Sequence, residues 1–402
     1  MGSIKIRFLA KAFPHCYSTV VMTMQSSLES TTPLAPKRSF RLPRMQEAGL
    51  IGVIVLIGVI LTFGGGTVKV RGQEVNNFFR PDNLLPNVFT PVSWMGIMAV
   101  GATCVIVSGG IDISVGSIFG LAALGTAAVL EKFDESAPGI KVLPVAIAVP
   151  IGIGLACGLI NGLLVVCLRM HPFIVTLATM SIFRGIALVT VKTGSIPSGD
   201  NNLPDAFTNH FLMKTYDYQR ANGLPVHLQP VPFIILLICV IAGWIYLGLT
   251  IKGRENYAVG GNEEAARFSG LRVNMIKLRV YAISGLTCGI AAMVNCGYYG
   301  SAATNTGETY ELMVIAAAVV GGASLVGGRG SALGAVLGAL VMQLIENGLD
   351  IIKEVNLGFT ELSVSKQYSK IIVGIAIILA VTVDQLGQYI QQRRLKGAKS
   401  RG

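Results

Sequence analysis

KGRENYAVGGNEEAARFSGLRVNMIKLR, Lys252 to Arg279, is a basic loop between two long apolar runs, and reading it decides what the rest of the chain builds. It spells a miniature helix with its own start and stop. Asn262 is placed to cap it, Glu263 and Glu264 fall in the first turn, Ala265 and Ala266 favour helix, and Gly270 can end it. A helix of about two turns is marginal alone in water. It is therefore expected to dock onto something, and the flanking positive charge places it on the cytoplasmic side of a membrane.

Working outward, the composition agrees with a membrane setting. The chain has 402 residues, of which 52% are hydrophobic and only 13% charged, with a mean hydropathy of +0.63. Soluble domains carry about a quarter charged residues. The 48 glycines suit helices that approach closely in lipid. The net charge of +11 does not point to nucleic acid, because the basic residues are divided among short intervals between apolar spans.

About ten spans are expected, at 48–66, 84–108, 115–130, 143–168, 172–191, 231–251, 278–297, 311–327, 332–350 and 369–388. The fold class is all-α, a polytopic membrane protein. Residues 1–46 read as a disordered cytoplasmic tail, 47–390 as the transmembrane domain, and 391–402 as a basic cytoplasmic tail. Lys and Arg cluster in both tails and in the 252–279 loop, so both termini are expected inside the cell. The intervals 67–83, 131–142, 192–230, 298–310 and 351–368 are then external. The longest, 192–230, reads as a cap able to touch a partner.

A weak internal echo links Gly116-Ser117-x-x-Gly120 to Gly330-Ser331-x-x-Gly334. Glycine-interrupted segments in two halves are the pattern expected around a transport pathway. The run Gly152-x-Gly154-x-x-x-Gly158 lies inside an apolar span and reads as helix packing rather than a dinucleotide site.

Chemistry of bond-making type is not in view. No G-x-x-x-x-G-K-[ST] run occurs, the four histidines show no metal-ligand spacing, and six of the seven cysteines lie in apolar runs. No cofactor and no enzymatic activity are expected, so energy must come from an ion gradient or another chain. Arg184 within a span either lines a polar pathway or pairs with a carbonyl or carboxylate to lock the bundle. Asp112 and Ser114 either cap the following helix or face the pathway. Asn161 and Asn295, deep in spans, serve packing or solute, and Glu311 and Asn347, near outer span ends, are where an entering polar solute would first meet the chain.

The segments GGIDISVGS, HPFIVTLATMSIFRG, GRENYAVGGNEEAARFSGL, ETYELMVIAAAVVGGASLVGGRGSALG and ENGLDII, in that order over about residues 84–390, resemble the permease subunits of bacterial ribose/xylose/galactose-type ABC importers. The resemblance implies a second permease copy or paralogue, a cytoplasmic tandem ATPase and a periplasmic sugar-binding protein. It implies an inner-membrane pathway for a monosaccharide, working by alternating access. Carried over by residue, Gly261, Asn262, Glu263, Glu264, Ala265, Ala266, Arg267 and Gly270 correspond to the helix that couples to the ATPase, and the turn bearing Arg329 to a second contact. The alternative from another class is an ion-gradient-driven secondary transporter acting alone.

Overall fold

The computed structural model describes residues 45–352, except 71, 192–193, 199–201 and 220–224, together with 354–356, 361–363 and isolated helical positions between 368 and 382. The tails at 1–44 and 391–402 lie outside the described residues, and the span expected at 369–388 is described at only a few helical positions.

Nine helices account for the expected spans from 48 to 350. Seven are long and apolar enough to cross a membrane by length and composition. They are α1 (Met45–Gly64), α2 (Pro81–Val107), α4 (Gly139–Leu168), α5 (Pro172–Thr190), α6 (Pro230–Leu249), α9 (Val273–Tyr299) and α11 (Ala332–Ile351). Two are shorter, α3 (Val115–Leu130) and α10 (Tyr310–Val320). The remaining two, α7 (Ile251–Gly261) and α8 (Glu263–Phe268), occupy most of the interval expected to be a loop.

The centre of the bundle is α2, almost wholly buried and packed by α9, α11, α6 and α10. Its apolarity all round is what a fully enclosed helix requires. The most extensive helix pairing among the described residues is α4 with α9. A Cβ added at Gly154 or Gly158 would overlap backbone at Gly285 or Tyr281, and one at Gly289 would overlap the Pro150 carbonyl. The glycines at 154 and 158 are therefore packing residues as read, whereas a Cβ at Gly152, read with them, would meet nothing within 4 Å.

The short helices correct the expected map. At a rise of about 1.5 Å per residue, α10 spans about 16 Å and α3 about 24 Å, against a hydrocarbon core of about 30 Å. The expected 311–327 span stops at Val320 because Gly321, Gly322, Gly327, Gly328 and Gly330 turn the chain. The interval 298–310 does not simply run outside. It folds back until Thr306 touches the second turn of α3 at Gly120, and the two short helices meet at their N-termini, where Gly116 lies against Glu311. Phe119 and Tyr310 stack at 5.5 Å across this junction.

The glycine echo does not survive as equivalence. Ser331 is the N-cap of α11 and accepts from the Gly334 amide, whereas Ser117 sits inside α3 and donates to the Ser114 carbonyl. In the 192–230 interval, Leu203, Phe207 and Leu212 are buried against the main core, and an antiparallel hairpin pairs Tyr216–Gln219 with Pro225–Leu228. Thr67–Val70 pairs antiparallel with Gln73–Asn76.

Candidate functional site

The capped helix is present as read. The Asn262 side chain accepts from the Ala265 amide at 2.9 Å, and Gly270 takes φ +84°, a left-handed turn that favours glycine. What stabilises it is the chain's own structure. Ala266 is buried with Val259, Val273 and Ile276, and Glu263 accepts from Lys277 at 2.8 Å and Arg267 at 3.1 Å. Burial raises the Glu263 carboxyl, but these two cations outweigh it and hold the group below the usual carboxylate range.

The rest of α8 is solvent-facing. Glu264, Ala265 and Arg267 are exposed, and Phe268 is 91% exposed. An aromatic ring so uncovered on a charged knob was missed from the sequence, although its place between Arg267 and Ser269 in a polar run was the available signal.

The second expected contact lies beside the first. The Gly328 amide donates to the Val107 carbonyl at 2.9 Å, and the backbones at Gly327 and Gly328 pack directly on Gly260 and Gly261. Arg329 is exposed at this turn. Two residues of α7 fasten the knob to the bundle: Asn256 donates to the Cys104 carbonyl at 2.9 Å, and the Tyr257 hydroxyl donates to the Gly330 carbonyl at 2.6 Å. These bonds join segments far apart in sequence, so no local pattern announced them.

The expected pathway residues fall into four places. Asp112 is 2% exposed; its Oδ1 accepts from the Ser114 amide at 3.0 Å and Ser114 Oγ at 2.6 Å, and its Oδ2 accepts from Ser284 Oγ at 2.9 Å. Asn161 Nδ2 donates to Ser114 Oγ at 2.6 Å. Ser114 stands at the N-cap of α3 without capping through its side chain, so this buried network joins α3, α4 and α9 instead. Ser284 was not foreseen.

Arg184 and Glu311 flank the re-entrant segment. Arg184 Nη1 donates to the carbonyls of Thr306 at 2.7 Å and Thr304 at 3.3 Å. Thr309, beside it, has φ +67°, a strained value for a non-glycine residue. Asn295 is buried on α9. Asn347 exchanges both amide hydrogen bonds with Asn83, at 2.8 and 3.1 Å. Its polarity is consumed in joining α11 to the start of α2.

Among the described residues no group of three or more His, Cys, Asp or Glu is placed to hold a metal. Two short helices thus meet tip to tip beside a non-helical segment, and an exposed knob is fastened to the bundle. The family model for the permease component of branched-chain amino acid transport systems matches residues 84–381.

The chain belongs to that family.

The permease is 35% identical over 345 residues to the ribose import permease protein RbsC of Escherichia coli (strain K12), covering 86% of this chain and 95% of the relative. It is 35% identical over 357 residues to the galactose/methyl galactoside import permease protein MglC of the same organism, covering 87% and 97%. It is 33% identical over 311 residues to the autoinducer 2 import system permease protein LsrD of Yersinia enterocolitica, covering 75% and 85%. No solved structure matches the chain. The permease is thus a multi-pass membrane transport component, and these comparisons give no support to an ion-driven carrier.

Proposed function

We propose that this chain is the membrane-spanning subunit of an ATP-driven importer, forming with a second copy or a close paralogue the path of a monosaccharide across the bacterial inner membrane. A separate cytoplasmic subunit with two fused nucleotide-binding halves hydrolyses ATP, and a periplasmic binding protein hands over the sugar. The permease catalyses no bond change. Its likeness to the ribose and galactose import permeases supports the substrate class.

The observation that carries the reading is the knob. Its fold is complete without help, yet it leaves the Phe268 ring in water, on a helix whose Glu264, Ala265 and Arg267 are also exposed. Seating that ring in a groove is worth about 2 kcal/mol. Movement of the ATPase halves would then displace α8, and α7 would carry the displacement to α2 and α11 through Asn256 and Tyr257. The Asp112–Ser114–Asn161 network and the segment held by Arg184, with Glu311 at its end, frame the pathway whose opening alternates. Asn295 and Asn347 border it as packing residues.

The test uses substitutions at exposed positions, which spare the fold. Phe268→Ala and Ala265→Arg should lower ribose or galactose uptake and sugar-stimulated ATP hydrolysis at least about tenfold, since 1.4 kcal/mol is a factor of ten. Normal uptake and stimulation in both variants, with normal membrane levels, would remove the assignment.

A further inference from the structure

Next to the knob lies a cavity of about 590 Å³, bounded by α4, α7 and the first turns of α9. Its lining includes the apolar residues Leu159, Met275 and Ala282. It also includes three cations, Lys252, Arg272 and Arg279, with Arg272, Met275, Arg279 and Ala282 alternating along one face of α9. Glu255 is the one carboxylate in its lining; it pairs with Arg279 at 3.2 Å and reaches Lys252 at 3.9 Å. The lining therefore keeps net positive charge, with Arg272 exposed at its mouth.

The position matters as much as the lining. Ile160 and Leu163 of α4 are exposed apolar residues next to Leu159, as expected of a face turned to lipid. The cavity thus sits where an acyl-facing surface gives way to the charged knob. A small soluble anion would use the cations and leave the apolar residues wet. A zwitterionic lipid would cover the apolar residues and bring no net charge to the cations. An anionic lipid satisfies both, and basic pockets between spans on the cytoplasmic side suit such headgroups.

We propose that this cavity holds the headgroup and upper acyl chain of an anionic phospholipid, phosphatidylglycerol or cardiolipin, from the leaflet facing the knob. Calling that leaflet cytoplasmic rests on the proposed function. Gly270 and Leu271 also line the cavity, so its occupant touches the end of α8 and braces the element that meets the ATPase.

The experiment uses the full-length chain in neutral detergent, followed by thermal unfolding with added phosphatidylglycerol, cardiolipin, phosphatidylcholine or inorganic phosphate. Either anionic lipid should raise the unfolding midpoint by roughly 5 °C, as a ligand that binds only the native state does. Phosphatidylcholine and phosphate should give little. The double substitution Lys252→Glu with Arg272→Glu, both exposed positions, should abolish the rise while leaving the lipid-free midpoint near that of the unaltered chain. Equal stabilisation by phosphatidylcholine, full stabilisation by phosphate alone, or an undiminished rise in the double variant would each overturn the proposal. Neither uptake nor ATP hydrolysis is read, so this result and that of Phe268→Ala fail independently.

Discussion

At the scale of single residues, polar side chains are used here chiefly as fasteners. Asn83 and Asn347 are both buried and bond each other; Asn83 also donates to the Phe78 carbonyl and accepts from Asn87, so it is the removal of Asn83 that strands an amide, that of Asn347. Asn347→Ala or Asn83→Ala should each destabilise by about 1–3 kcal/mol, and the double variant by clearly less than the sum, measured as unfolding in detergent. Glu263 makes a pH-dependent contribution. Its folded carboxyl titrates below the unfolded value of about 4.3, so its stabilisation is complete at neutral pH and is lost as pH falls through the lower, folded value. The unfolding midpoint of the unaltered chain should drop more between about pH 5 and about pH 3 than that of Glu263→Gln. Asn262, Glu263 and Gly270 were legible because capping is written in adjacent letters. Asn83 with Asn347, or Tyr257 with Gly330, were not, because each partner lies far along the chain and nothing local names it.

At the scale of elements, the contact of α4 with α9 depends on missing side chains. Gly285→Leu should force the helices apart and cost about 1–3 kcal/mol or more, seen as lost folded yield and an earlier unfolding midpoint. Gly152→Ala is the matched comparison, since a Cβ there meets nothing within 4 Å; it should be neutral or stabilise by up to about 1 kcal/mol. Hydropathy located these helices well, because burial in lipid or protein demands the same apolar run. It misjudged α10, whose apolar letters continue through Leu325 and Val326 although glycines have already turned the backbone. It also missed α7, whose charged residues masked a helix begun by Thr250, the side chain of which accepts from the Gly253 amide at 2.9 Å.

At the scale of the whole molecule, orientation can be tested at one thiol, the only cysteine among the described residues that is exposed rather than half-buried or buried. Cys167, at the end of α4, is exposed, whereas Cys104, Cys157, Cys288 and Cys296 are buried. In a Cys16→Ser background, a membrane-impermeant maleimide should label Cys167 in inverted vesicles and not in right-side-out ones; the reverse pattern would turn the proposed topology over. The tip-to-tip meeting of α3 and α10 could not be read from the sequence, since an apolar run does not record where along its length another segment returns to touch it. The fastening of α7 has a mechanical consequence. Asn256 grips the last turns of α2, and Tyr257, one residue on, grips Gly330 at the start of α11. The knob is therefore a crank with two rods: any thrust on Phe268 is shared at once between the central helix and its neighbour, so neither can be driven without the other.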